Sequence, residues 1–314
     1  MPGDLRPPSP VPLPDFLAQQ ITTPPYLVDP YVPAGGIVFL YGKPSLGKSP
    51  LTWKMAQCVA LGVPFLGCPT AQATVLYIDV DGTPAAELQK RLKLLPQPYP
   101  ADFQLVLMAP FNIVGRGAES DLARTRLAQM SQSVKPGLVI VNTLRKVHWA
   151  DDKESDVPSR VYTAFHGLFP GASILFVHHD KKTVLGPSGA STEADEAFSG
   201  RQAWLNDATV GLHLVRHGAE GLLRLDHTKT QVSERKPPLM LVLAPDGTTL
   251  TTQEEHHFKR LEAAWADLDP AWTKQAKVTA VRGQLGVSES TVWRWLRKWD
   301  TVKPPKPHDS TTST

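Results

Sequence analysis

Two glycines separated by four residues and followed at once by lysine and serine stand between an apolar run, "GIVFLY", and an amphipathic stretch, "LTWKMAQCVALG". The pattern G-x-x-x-x-G-K-[ST], from Gly42 to Ser49, is meaningful only where a strand enters a tight loop and a helix leaves it. The glycines let backbone N–H groups curl inward, and the start of a helix adds partial positive charge. Gly42, Lys43, Pro44, Ser45, Leu46, Gly47, Lys48, Ser49 and Pro50 therefore form a candidate cradle for nucleotide phosphates. Lys48 is placed for the β- and γ-phosphates and Ser49 for Mg²⁺. Pro50 is compatible with this reading, because the first helical turn has no internal donor to lose. The plainer alternative is a glycine turn beside an incidental lysine.

The rest of the chain supplies the alternation such a loop requires. After "GIVFLY" come the β-rich runs "ATVLYIDV", "FQLVLMA", "LVIVN" and "SILFVHH". Helical patterns separate them, at "PAAELQKRLKLL", from Asp121 to Gln132 and from Pro158 to Phe169. Strands apolar on both faces and joined by crossover helices imply an α/β fold with a mostly parallel central sheet flanked by helices. The closer-spaced runs "ATVGLHLV", "GLLRLDHT" and "PLMLVLA" read as hairpins that extend the sheet at one edge. We expect a proline-rich arm over residues 1–33 with one helical turn at "DFLAQQI", the α/β domain over 34–250, a small all-α domain over 256–302 and a disordered tail over 303–314. Pro245 marks the end of the sheet, and a polar linker follows.

Composition limits the setting. The chain has 314 residues, 41% of them hydrophobic and 20% charged, and no apolar run approaches the roughly 18 residues that span a bilayer. The opening "MPGDLRPPSPVPLP" does not have the form of a secretory signal. A cytoplasmic protein without a membrane partner is expected. Cys58 and Cys68 read as packing residues. The net charge is only +3, but the basic residues gather late: Lys274, Lys277, Arg282, Arg294, Arg297, Lys298, Lys303 and Lys306 stand against Glu289 and Asp300 alone.

The stretch "YLVDPYVPAGGIVFLYGKPSLGKSPLTWKMAQCVALGVPFLG", followed by "LVIVNTLRKVH", "ILFVHHDKK" and "AFSGRQAWLNDATVGLHL", resembles the RecA-like P-loop ATPases of the RepA hexameric replicative helicase type, found on plasmids, phages and bacterial genomes. The likeness spans roughly residues 26–245. It implies ATP and Mg²⁺ as cofactors, a homo-oligomer, typically a hexamer, and a central channel for single-stranded DNA. It also implies four positions. Asp81, closing "VLYIDVDG", takes the place of a glutamate that activates water, and Asp79 is expected on the opposite face. Asn142 takes the place of a carboxylate in the Mg²⁺ shell. His178 in the first place, or its neighbour His179, stands where the family has a sensor of the γ-phosphate. In "TKTQ", Lys229 is retained for a neighbouring subunit's phosphate, while Gln231 replaces an arginine and Arg235 stands nearby. Shortening the base, neutralising the metal carboxylate and losing an arginine all slow hydrolysis. The resemblance thus leaves two readings, a slow DNA-dependent ATPase or helicase, and a nucleotide-gated DNA-binding or regulatory protein with little turnover.

Two regions are candidates for DNA. Residues 180–202 read as a long polar loop, in which the resemblance gives Lys181, Lys182 and Arg201 a role against single-stranded DNA. A solvated loop is the alternative, since Glu193, Asp195 and Glu196 lie among them. In the tail, "KQAKVTAVRGQLGVSESTVWRWLRKW" reads as helix, turn at Gly286 and second helix capped by Ser288. Val292, Trp295, Leu296 and Trp299 form its buried stripe, leaving Ser290, Thr291, Arg294, Arg297 and Lys298 for phosphates and base edges. This is the layout of a helix-turn-helix for duplex DNA, or of a helical module that docks another protein. A metal role for His256 and His257 is not expected, because adjacent helical residues point apart.

Overall fold

The computed structural model describes residues 10–20, 25–149, 156–179, 196–218 and 221–302, with backbone alone for 196–201 and 300–302. Lys181, Lys182 and the remainder of the 180–195 stretch lie outside the described residues, as does the tail from 303. In chain order, the described elements begin with α1 (Leu13–Ala18), β1 (Tyr26–Val28), β2 (Val32–Pro33), β3 (Ile37–Gly42), α2 (Lys48–Leu61), β4 (Val75–Asp79), α3 (Ala85–Leu92) and β5 (Phe103–Leu107). They continue with α4 (Ala118–Val134), β6 (Leu138–Asn142), α5 (Val157–Leu168), β7 (Ser173–His179), α6 (Glu196–Asp207), β8 (Val210–Arg216), β9 (Leu222–Thr230), β10 (Leu239–Leu243) and β11 (Leu250–Thr252). The last three are α7 (Gln253–Ala266), α8 (Lys274–Leu285) and α9 (Glu289–Val302).

Nine strands form one sheet in the order β11-β10-β9-β8-β3-β7-β6-β4-β5. From β8 to β5 every neighbouring pair is parallel, and β9 and β10 add on antiparallel. β7 lies between β3, which leads into the loop, and β6. Alternation along the strands divides the apolar side chains into two layers. Val38, Leu40, Tyr77, Ile140, Leu175 and Val177 pack with Leu51 and Met55 of α2. Phe39, Leu76, Val139, Val141, Ile174 and Phe176 pack with Leu127 of α4, Phe165 of α5 and Trp204 of α6. The sheet therefore has helices on both sides, the α/β arrangement that both the strand pattern and the resemblance imply.

Four expectations are corrected. Residues 25–33 are not an arm: β1 and β2 pair antiparallel, and Val28, Tyr31 and Val32 are buried in the α2-side core. β5 is not apolar-buried on both faces, because it is an edge strand with Leu105 and Leu107 exposed. The sheet does not stop near Pro245, since Asp246 closes a turn by accepting from the N–H groups of Thr248 and Thr249 and β11 follows. Residues 196–202 belong to α6 rather than to a loop.

Contacts divide the chain into residues 1–250 and 251–314. Within the second unit α7, α8 and α9 share a core of Leu261, Val278, Val281, Val292, Trp295 and Leu296. Thr273 caps α8 by accepting from the N–H of Ala276 at 3.2 Å. Gly286 ends that helix in the left-handed region, and Ser288 accepts from the N–H of Thr291 at 3.2 Å to start α9. Among the described residues no helix is long and apolar enough to cross a membrane.

Candidate nucleotide-binding site

The loop between β3 and α2 has its shape imposed by close backbone packing. A Cβ on Gly42 would lie 2.3 Å from the carbonyl oxygen of Leu214 in β8, so only glycine lets β3 run this close to its neighbour. Ser45 and Gly47 both take positive φ, at 59° and 85°, which turns successive amides of the loop toward one side. Lys43, Pro44 and Ser45 are exposed, whereas Leu46 is buried beneath them. The first turn of α2 has no side-chain cap, the setting in which a helix start can meet an external acceptor such as a phosphate oxygen.

Lys48 is 3% exposed. Its Nζ donates to the carbonyl oxygens of Gly42 and Lys43, each at 2.7 Å, which folds the ammonium back into the loop it would serve. α2 itself is buried on nearly every face, including Pro50, Leu51, Trp53, Met55 and Val59, so the loop rests on a rigid base. One turn beyond Ser49, the Thr52 hydroxyl donates to the Ser49 carbonyl at 2.9 Å and lies 3.1 Å from the Tyr77 hydroxyl of β4. Tyr77 thereby ties the start of the helix to the sheet.

Asp79 follows Tyr77 by two residues on the same face, at the C-terminal end of β4. The expectation that it points away is wrong, because residues two apart on a strand share a side. Asp79 is 3% exposed. Its Oδ2 accepts from Asn142 Nδ2 at 3.2 Å and its Oδ1 from the N–H of Asp81 at 3.1 Å. Burial pushes its carboxyl above the usual range, and these two hydrogen bonds pull the other way. Asn142, in register with Asp79, is likewise buried on the α2 side. Asp81 lies beyond the strand with its side chain exposed.

The histidine pair is resolved by register. His178 packs its ring 5.5 Å from that of Phe39, on the face away from α2. His179 follows Leu175 and Val177 on the α2 face and is the register partner of Gly42. The preference for His178 is therefore corrected: alternation gives the position beside the loop to His179. Lys229 is also placed otherwise than a residue reaching outward. Its Nζ donates to the carbonyl oxygens of Leu205, at 2.9 Å, and of Asn206, so that it caps the end of α6, and burial pushes its ammonium down. Gln231 and Arg235 are exposed.

In the second unit Ser290, Arg294, Arg297 and Lys298 are exposed and Thr291 is half-buried. Lys298 pairs with Glu254 at 2.7 Å, and the Ser288 hydroxyl lies within 2.9 Å of that of Ser290 and 2.8 Å of that of Thr291. His257 stacks on Trp295 at 4.4 Å, a packing role, and no group of three or more metal-ligating side chains occurs among the described residues. Arg201 lies on α6, with its backbone alone described.

Sequence reasoning did not single out Tyr77 and Thr52, whose contact joins loop to sheet, and it set Asp79 aside. The spacing of two between Tyr77, Asp79 and Asp81 was the signal that placed Asp79 on the loop's side.

A comparison with curated protein sequences gives no significant match. Among solved structures, the crystal structure of the RadB recombinase is similar over 70% of this chain and 91% of its own, at 14% identity and a TM-score of 0.47. The family model described as an AAA domain matches residues 5–184, more than half of the chain. That match covers the loop, the helix behind it and the strands ending in Asp79, Asn142 and His179, and the chain belongs to the AAA domain family.

Proposed function

We propose that the chain binds ATP with Mg²⁺ and acts on DNA as a RecA-like ATPase, helicase or helicase-like, in replication of a plasmid, phage or other mobile element. The observation that carries the reading is the loop itself: a buried Lys48 ammonium, inward-turned amides and an uncapped helix start converge where a triphosphate would sit. The residues fit the cofactor. Gly42 to Pro50 would hold the phosphates, Ser49 would ligate the metal, and the Asn142 side-chain oxygen would accept a hydrogen bond from a metal-bound water. Bound Mg²⁺ supplies neutralisation of charge building on the phosphate oxygens. Asp81 is the candidate base and His179 the candidate γ-phosphate sensor. Lys229 would have to leave the end of α6 to meet a neighbouring subunit's nucleotide in a hexamer. Single-stranded DNA would run through the ring channel, with Lys181, Lys182 and Arg201 as candidate contacts. Duplex DNA would meet the exposed side of α9, in a helix-turn-helix whose bases and phosphates are read by Ser290, Thr291, Arg294, Arg297 and Lys298.

A second reading is favoured by two specific residues. Asn142 and Gln231 stand where hydrolysis is best served by a carboxylate and an arginine, which suits a nucleotide-gated DNA-binding or regulatory protein. ATP turnover measured with and without single-stranded DNA, against a Lys48→Ala control, separates the two. DNA-stimulated turnover abolished by the substitution supports the ATPase, and tight ATP binding without turnover supports the regulator.

A further inference from the structure

We propose that Asp79 supplies the negative charge that holds Mg²⁺ on a bound nucleoside triphosphate, with Asn142 as its positioning residue. The proposal rests on the nucleotide-binding reading given above and deepens it. At the C-terminal edge of the sheet, on the α2 side, β4 and β6 end in register on a carboxylate and an amide. A divalent cation is drawn to charge, and Asn142 has none to give. Asp79 is buried and accepts hydrogen bonds from the side chain of Asn142 and the backbone N–H of Asp81. Among the described residues no lysine, arginine or histidine forms an ion pair with it. A buried carboxylate without a cation is costly for a fold to keep, and such groups concentrate at functional sites.

Its position is as telling as its charge. The chain of contacts from the Ser49 carbonyl through the Thr52 hydroxyl to the Tyr77 hydroxyl runs down from the helix start to β4. Asp79 is the next residue on that face toward the loop. Each carboxylate oxygen accepts one hydrogen bond and keeps lone-pair capacity for a metal-bound water. The Asn142 amide and the Asp81 N–H fix the plane of the carboxylate, as partners of a metal-site carboxylate do. The charge usual at the end of one strand is thus carried by the adjacent strand, one inter-strand step away.

The test is equilibrium binding of a fluorescent, non-hydrolysable ATP analogue to the full chain, in Mg²⁺ and in EDTA. The wild type should bind more tightly in Mg²⁺. Asp79→Asn, nearly isosteric, should lose that gain by on the order of ten- to a hundredfold while binding in EDTA as well as wild type or better. The exchange Asp79→Asn with Asn142→Asp should restore much of the gain, because it returns one carboxylate to the pair. Asn142→Ala should show a smaller loss. An Asp79→Asn variant with the full Mg²⁺ gain, or a wild type that binds equally in both media, overturns the proposal. A wild type that binds the analogue in neither medium overturns the nucleotide-binding reading instead.

Discussion

The hydroxyls of Thr52 and Tyr77 lie 3.1 Å apart inside the protein, joining the helix that starts at the phosphate loop to the strand that ends in Asp79. Burial holds the Tyr77 phenol far above its ordinary titration range, so the contact is between neutral hydroxyls at any working pH. Tyr77→Phe removes it while Thr52 keeps its bond to the Ser49 carbonyl. Urea denaturation should show a loss of about 1 kcal/mol. An unchanged midpoint would mean that the contact does not tie helix to sheet.

The raised carboxyl of Asp79 gives a pH signature. Because its folded-state pKa lies above the unfolded value, the cost of keeping it ionised is absent below the ordinary carboxylate range and grows as pH rises through the folded pKa. Asp79→Asn should therefore raise the Tm of the nucleotide-free protein at pH 7.5, and the gain should vanish near pH 4. The Asn142 amide can turn over to keep a hydrogen bond with the new side chain, so the variant should fold. A variant less stable than wild type at pH 7.5 would contradict this account of the carboxylate.

The parts of this molecule that were legible in its sequence are those set by neighbours along the chain. The loop from Gly42 to Ser49, the strands ending in Asn142 and His179 and the Ser288 cap of α9 each follow from local pattern. The misreadings concern partners distant in sequence. Leu105 and Leu107 look like core residues until the sheet order makes β5 an edge. The proline-rich run around Tyr26 to Pro33 hides a strand pair whose buried Val28 and Val32 pack on residues far along the chain. Lys229 gives no local sign that the carbonyls of Leu205 and Asn206 hold it. The side taken by Asp79 was different: the period of two already contained it, and Tyr77 facing α2 makes it plain.

Gly42 tests the shape of the loop. Alanine there would bring Cβ against the Leu214 carbonyl at 2.3 Å, a contact between two backbones that no side-chain rotation relieves. Gly42→Ala should cost about 1–3 kcal/mol and abolish analogue binding, whereas Gly167→Ala, on α5 where a Cβ meets nothing within 4 Å, should leave binding intact. Normal nucleotide affinity in Gly42→Ala would show that the close approach is not what shapes the cradle.

For the second unit, charge and packing make separable predictions. Arg294→Ala with Arg297→Ala should weaken duplex DNA binding across sequences and reduce the salt slope by about 2 if both meet phosphates, with the circular dichroism of the helices unchanged. Trp295→Ala, which removes a core residue stacked on His257 at 4.4 Å, should instead unfold the unit. Duplex affinity unaffected by the arginine pair would favour a protein-docking role for α9.

The most direct test of the central claim is calorimetric binding of Mg²⁺-ATP to the full chain and to its Lys48→Ala variant. Lys48 donates into the loop at 2.7 Å from two carbonyls, and an ammonium–phosphate contact contributes on the order of 1.5–3 kcal/mol. The account predicts saturable binding by the wild type and an affinity lower by about ten- to a hundredfold in the variant. Equal affinities, or a wild type that takes up no nucleotide, would contradict it.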